Sequence, residues 1–431
     1  MLRRILHNFA TRLLTALLSF GVVWLTARYL GAAGRGHISL FMTDCAALLL
    51  FIGLLGGSSL IYLAPRRNIW HLLLPAYCWA LLVCAAGSAV VALLRSVPPA
   101  YLLHLWALSL LQAFLSVNTL LLLGRRRNTP YNLLSILPVL LLAGTLLLNF
   151  ALFRQREVSV YFQVCYLAYG LPLLLSFGWL ARLPRPPVAG APIRGTMREL
   201  ARHSREAHLS NILTFINYRL SYYFVAHFAD ARAVGILSVG VALAEAIWMI
   251  PRSTALMQYV ELVQADDKQA QVGRGLRLTR LTLFLTVAAV VVLCALPPQL
   301  LSLVFGQEFT SARPVILLLA PGVVAIALSQ ICSTYFTAVT RYRVNNLATL
   351  LGVAVTLVGC VAVVPVWGIR GAALVMTVSY SCSALYLVRA FLRATGIRLL
   401  DLLPVREDAT YAWQLLRRPA QPAVATAEDA A

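Results

Sequence analysis

The chain has 431 residues, of which 60% are hydrophobic and 12% charged; a soluble domain carries about 25% charged residues, so a water-soluble fold is excluded. The net charge of +21 rests on 35 arginines and one lysine, Lys268. These lie in short clusters between apolar runs, the pattern that orients membrane helices rather than one that binds nucleic acid, and no nucleic-acid partner is expected.

A bilayer core about 30 Å thick needs roughly 20 apolar residues per spanning helix. Stretches of that length predict an all-α polytopic membrane protein with about twelve spans, at roughly 8–29, 37–63, 70–94, 101–123, 131–153, 158–180, 206–228, 234–258, 278–304, 313–338, 345–366 and 370–393. The start, Met1-Leu2-Arg3-Arg4 before an apolar run, imitates a signal peptide. With so many spans behind it, it reads as a retained first helix. Prolines 75, 138, 172, 251, 321 and 365 fall in or near spans and are expected to bend them.

Most connections are short, and 181–205 and 259–277 are the longer ones. The first contains Pro184, Pro186, Pro187 and Pro192, is not helical throughout, and divides the spans six and six. The expected organisation is a six-helix lobe at 1–180, a cytoplasmic linker at 181–205, a second six-helix lobe at 206–396 and a cytoplasmic tail at 397–431, with a central cavity between the lobes. A weak internal repeat agrees: Gly36 and Ser39 match Gly235 and Ser238 at an offset of 199. With the N-terminus in the cytoplasm, cytoplasmic segments hold 27 basic residues and the opposite side 8, with Arg219 inside a span. That bias predicts both termini inside.

Polar residues in a span need a partner or a cavity. The first span carries Asn8, Arg12, Thr15 and Ser19 on one face, and the fourth carries Ser109, Gln112, Ser116 and Thr119. The seventh holds Ser210, Asn211, Thr214, Asn217, Tyr218 and Ser221, with Arg219 at the edge of that arc. Ser238, Glu245 and Arg252 share a face of the eighth, and Gln330, Thr334, Thr337 and Arg341 mark the tenth. Any single Ser or Thr is most simply a helix–helix hydrogen bond worth about 0.6 kcal/mol. Ionisable groups cost roughly 2.5–3.5 kcal/mol at a helix centre, so Asp44, Arg219 and Glu245, the three deepest, call for a cavity role or a structural ion pair. Arg12 lies nearer an end and can snorkel.

The eight cysteines lie in apolar runs, with no C-x-x-C pair and no zinc spacing. No G-x-x-x-x-G-K-[ST], G-x-S-x-G or H-E-x-x-H motif occurs, so neither ATP drive by this chain nor soluble-type hydrolysis is expected. No metal or cofactor is expected, and no connection is long enough for a nucleotide-sugar domain.

The stretch Ala27-Arg28-Tyr29-Leu30-Gly31-Ala32-Ala33-Gly34-Arg35-Gly36 and the later Ser58-Ser59-Leu60-Ile61 resemble the opening helices of Wzx-type bacterial polysaccharide flippases, within the multidrug/oligosaccharidyl-lipid/polysaccharide exporter superfamily. Asn217-Tyr218-Arg219-Leu220-Ser221, Val234-Gly235-Ile236-Leu237-Ser238-Val239 and Glu245 to Pro251 resemble the start of that family's second lobe. Phe305-Gly306, Phe309, Pro321-Gly322 and Val364-Pro365-Val366-Trp367-Gly368-Ile369-Arg370-Gly371-Ala372-Ala373 are similar to its later signatures. This chain has Ser221 where members often carry Asp.

The resemblance covers roughly residues 1–396 and implies alternating access by two lobes. The implied substrate is an undecaprenyl-pyrophosphate-linked oligosaccharide turned from the inner to the outer leaflet, for cell-surface polysaccharide such as lipopolysaccharide. Membrane lipid and a polysaccharide polymerase are the implied partners. Arg12, Arg219 and Arg252 are candidates for the pyrophosphate, Asn8, Asn217, Gln112 and Gln330 for sugar hydroxyls, and Asp44 and Glu245 for ion coupling. The alternatives are a drug/cation antiporter or lipid II flippase of the same superfamily, a membrane glycosyltransferase or polymerase, and a scaffold assisting a polymerase.

The charge bias sets a topology test. Single cysteines at 190 and in the C-terminal tail, in a cysteine-free background, should resist an impermeant thiol reagent on intact cells. Cysteines beside Arg95 and Arg313 should react; labelling at 190 from outside would overturn the orientation.

Overall fold

Lipid offers the backbone no hydrogen-bond partner, so the apolar runs fold as helices that satisfy their own amides. The computed structural model describes residues 2–183, 193–264 and 268–402, and no strand occurs among them. In chain order the helices are α1 (Leu2–Gly56), α2 (Ser59–Leu63), α3 (Ile69–Leu94), α4 (Pro99–Gly124), α5 (Asn128–Leu147), α6 (Val158–Ala181) and α7 (Ile193–Phe228). They continue as α8 (Ala231–Ile247), α9 (Met249–Gln264), α10 (Lys268–Ala295), α11 (Pro298–Phe305), α12 (Ala312–Ala338) and α13 (Tyr342–Thr395).

Local chemistry sets several ends. Asn68 accepts the Trp70 amide at 3.0 Å to cap α3, and Asp230 accepts that of Ala233 at 2.7 Å to cap α8. Proline opens α4 and α11, and α13 stops at Gly396 with φ 74°.

Two long helices are hairpins turned on a single glycine. Gly31 (φ 70°) reverses α1 and Gly368 (φ 52°) reverses α13, a backbone region open to a residue without Cβ. Across the first turn Arg35 Nη1 donates to Thr26 Oγ1 at 3.1 Å. Across the second, Ser379 donates to the Gly352 carbonyl at 2.7 Å and Ser383 to that of Ala348 at 2.9 Å. Nine helices among the described residues are long and apolar enough to cross a membrane. Counting each hairpin as two and adding the polar α7 gives the expected twelve crossings.

Three boundaries differ from the sequence expectation. Helix α7 begins at Ile193, so 193–205 of the expected linker is helical and packed: Leu200 is fully buried, Glu199 pairs with Arg67 at 3.0 Å, and Ser204 Oγ donates to Ser59 Oγ at 2.8 Å. The proline-rich part, 184–192, lies outside the described residues, as does the tail from 403. The eighth span breaks at Trp248 into α8 and α9, and Pro297 ends the ninth early. Most of 259–277 is helical, in α9 and α10.

Buried apolar residues gather in several clusters, two of which mark the halves of the molecule. One joins α1, α3, α4, α5 and α6 around Phe41, Phe150 and Tyr161. The other joins α7, α8, α12 and α13 around Val225, Val315 and Ala372. The sets meet where α1 crosses α8. A Cβ on Gly36 would lie 1.6 Å from the Ala231 carbonyl oxygen, and one on Gly235 would lie 1.9 Å from that of Ala32. These are the repeat glycines: each sits on the carbonyl that precedes the other by four residues, so the crossing is two-fold. Small residues four apart are what lets helix backbones approach this closely.

The contact predicts a sharp contrast. Gly36→Ala or Gly235→Ala should destabilise the detergent-purified protein by at least the ~1–3 kcal/mol typical of overpacking. Gly21→Ala, in the same helix with nothing within 4 Å, should leave stability equal or improved by up to about 1 kcal/mol. Thermal melting of the three variants checks this.

Candidate functional site

A cavity of about 560 Å³ is lined by residues between Ser210 and Leu387, so it lies within the second helix group. In the first group, several polar side chains bond one another or their own backbone. Tyr77 donates to Asn118 Oδ1 at 2.6 Å, Asn118 Nδ2 to Ser176 Oγ at 2.8 Å, and Thr119 and Thr15 donate to carbonyls one turn back in their own helices.

Three helices supply the cavity wall. From α7 come Ser210, Thr214 and Asn217, one helical face; from α12, Ser329, Gln330, Ser333 and Thr337; from α13, Asn345, Asn346 and Thr349 on one arm and Tyr380 and Ser383 on the other. The hairpin at Gly368 brings both arms to the same wall. Among the described residues no acidic side chain lines the cavity and Arg252 is its one cation, exposed at the start of α9 and 5.9 Å from the Trp248 ring. Three buried polar atoms of this wall have no protein partner: Ser329 Oγ, Asn345 Oδ1 and Tyr380 Oη. A buried polar atom needs a partner, which here comes from water or a polar ligand.

A side chamber of about 300 Å³ shares Thr214, Tyr218 and Arg252 and adds Arg219 and Glu245. Arg219 Nη2 lies 3.1 Å from Glu245 Oε1, both side chains are about one-third exposed, and Arg219 Nη1 donates to the Tyr222 hydroxyl at 3.3 Å. Tyr218, Trp248 and Tyr380 form an aromatic wall with centroids 5.2 to 6.0 Å apart.

The structure thus gathers Asn217, Gln330, Arg252, Arg219 and Glu245 and separates the rest. Gln112 lies on α4, half-buried and outside both cavities. The side chains of Asn8 and Arg12 lie outside the described residues. Asn217 is itself largely committed, with the Thr356 and Ser379 hydroxyls 2.9 and 2.7 Å from its Oδ1. Asp44 is buried elsewhere, accepting from Arg95, from the Tyr101 hydroxyl at 2.5 Å and, across the groups, from the Tyr223 hydroxyl at 2.9 Å.

The opposite end of the molecule is sealed. Glu308 accepts the Ala32 amide at 2.7 Å and pairs with Arg232 at 3.2 Å, and Trp24 Nε1 donates to the Val304 carbonyl at 2.9 Å. Arg35, read from sequence as part of a connection, is in a helix and buried, and its Nε donates to Ser238 Oγ at 3.1 Å. Sequence reasoning missed Glu308 and Arg95, which lie at helix boundaries where polar residues are ordinary, and Tyr223, inside α7; each meets its partner only through the fold.

The described residues form an all-α membrane fold of two helix groups, with cavities toward one end and cross-group bonds at the other. Solved structures share this fold. A multidrug resistance MATE family transporter of the MOP superfamily, inward-facing, is similar over 89% of this chain and 94% of its own, at TM-score 0.69 and 13% identity. The lipid II flippase MurJ in an inward closed conformation is similar over 98% and 94%, at TM-score 0.70 and 12% identity. An outward-facing MATE family transporter is similar over 91% and 94%, at TM-score 0.56 and 14% identity. The chain therefore has the fold of MOP superfamily transporters. By sequence alone, no family model and no curated protein matches it.

The ion pair generates a two-part expectation. Arg219→Ala leaves Glu245 without its partner; a fully buried pair broken this way costs about 3–5 kcal/mol, and partial hydration reduces that here. Membrane abundance should fall, and Arg219→Ala with Glu245→Gln should restore it. Equal abundance of the single and double variants would show that the pair carries no structural load.

Proposed function

We propose that this chain is a flippase that carries an undecaprenyl-pyrophosphate-linked oligosaccharide from the inner to the outer leaflet of a bacterial cytoplasmic membrane. The observation that carries the reading is the cavity wall of hydroxyls and amides, with three unpartnered polar atoms and a single arginine. Sugar hydroxyls match the Ser, Asn and Gln groups, and Arg252, which no carboxylate neutralises among the described residues, suits a phosphate. The lipid tail stays in the bilayer while the head passes. The two six-helix lobes, 1–180 and 206–396, would alternate about the α1–α8 crossing, with both termini cytoplasmic.

Charge argues against a drug or cation antiporter. Such a site needs a free carboxylate, and Glu245 is held by Arg219 while Asp44 is enclosed by Arg95, Tyr101 and Tyr223. Asp44 suits coupling instead, because its bond from the Tyr223 hydroxyl ties the first group to α7. The fold is shared with transporters rather than with enzymes, which favours transport over an enzyme reading.

The purified protein in liposomes should move a defined polyprenyl-pyrophosphate oligosaccharide and should not exchange a cationic dye. Arg252→Gln should cut the rate by at least about tenfold, the ~1.5–3 kcal/mol of a charged hydrogen bond, and Arg252→Lys should retain part of it. Transport of lipid II in preference to the oligosaccharide would replace this reading with the peptidoglycan-precursor alternative, and dye transport alone would replace it with the antiporter.

A further inference from the structure

A second concave site lies beside the mouth of the main cavity. It is a cleft of about 310 Å³ where α13 begins and ends, lined by Arg341, Arg389 and Arg393 above Phe336, Val344 and Ala390. The Gly368 hairpin brings the two ends of α13 together, so Arg341 at its N-terminal boundary faces two arginines near its C-terminus. All three arginines are exposed, and none is within ion-pairing distance of a carboxylate among the described residues. Arg389 and Arg393 are four apart on one helical face, an unfavourable arrangement when the charges are alike. Three guanidinium groups around one cleft are favourable when an anion sits among them.

The floor decides the kind of anion. Phe336 and Val344 belong to an apolar cluster with Tyr386, Leu387 and Phe391, so the cleft offers charge at its rim and hydrocarbon beneath. A free phosphate would leave that floor unused; a phosphate carried on a hydrocarbon chain fills both. The site also adjoins the transport cavity, because Tyr342 and Leu387 line the cavity while their chain neighbours Arg341 and Tyr386 line the cleft.

We infer that the Arg341–Arg389–Arg393 cleft binds the phosphate head group of a membrane lipid, with the start of the lipid chain against Phe336 and Val344. This goes beyond the transport reading and holds whether or not the chain moves a glycolipid. The lipid is either a bulk anionic phospholipid that sits beside the mouth or a polyprenyl phosphate waiting to enter it.

The test titrates the purified full chain in neutral detergent with four probes: phosphatidylglycerol, phosphatidylcholine of the same chains, a polyprenyl phosphate, and inorganic pyrophosphate. Either or both of the anionic lipids should bind more tightly than phosphatidylcholine, and the tighter of the two identifies the source. Replacing all three arginines by Gln should weaken that lipid on the order of a hundredfold, since each basic residue near a lipid surface contributes about fivefold. Replacing all three by Lys should retain most of the affinity. Replacing the exposed Arg66, Arg126 and Arg127 by Gln removes the same charge from elsewhere and should change it little, and a melting curve confirms that each variant is folded.

Unchanged binding in the cleft variant, an equal loss in the control variant, or no preference over phosphatidylcholine would overturn the site. Pyrophosphate binding as tightly as the lipids would overturn the lipid assignment. None of these outcomes depends on transport, so a failed flipping assay and a failed cleft are distinguishable.

Discussion

The arrangement depends on two backbones pressed together at one crossing. Gly36 and Gly235 each sit against a carbonyl oxygen of the other helix, with Ala32 and Ala231 one turn earlier. A larger residue at either glycine would push α1 and α8 apart and separate the groups that these helices anchor. With the crossing at the end where Gly31 and Asp230 turn the chain, the polar groups there are drawn into bonds across the seam: Arg35 to Ser238, Trp24 to the Val304 carbonyl, and Glu308 to the Ala32 amide. At the far end the two groups are joined through the start of α7, by Glu199 to Arg67 and Ser204 to Ser59, and the cavities lie beside that part of α7.

The two-fold relation at the crossing breaks in an informative place. Asp230 caps its own helix, while its counterpart at the repeat offset, Gly31, has no side chain with which to do so. The amide at Ala32 takes its acceptor from Glu308, beyond α11 in the other half of the chain. A local cap on one side is thus replaced on the other by a contact between groups, whose free energy is available only while the seam is closed. Charge is handled with similar economy. Arg95 and Arg219 have carboxylate partners, Arg35 has hydroxyls, and Arg252 at the cavity has neither among the described residues, which makes it the cation an anionic ligand would meet.

Much of this was legible in the chain. Twenty-residue apolar runs fixed the helical class and the number of crossings, because a lipid-exposed backbone has no alternative to helix. The Gly36/Ser39 and Gly235/Ser238 match marked the two helices that touch. The polar arcs of the seventh and tenth spans, with Asn217, Gln330 and Thr337, marked a cavity wall. The polar arcs of the first and fourth spans looked equivalent but, among the described residues, line neither the cavity nor its side chamber, although Thr119 and Thr15 bond carbonyls of their own helices just as the cavity residues Thr214 and Thr337 do; periodicity alone does not tell which polar face meets a cavity.

Composition, span length and residue type therefore determined that this protein crosses the membrane about twelve times and carries unusual charges within its spans, because those properties follow from the cost of placing apolar and ionic groups in one solvent or another. Which charge meets which was decided by tertiary structure. Arg219 with Glu245, Asp44 with Tyr223, Glu308 with the Ala32 amide, and the three arginines at the ends of α13 are all distant in sequence. A chain pattern records the face on which a side chain lies, while a partner is set by how helices cross, and here those crossings turn on Gly31, Gly36, Gly235 and Gly368.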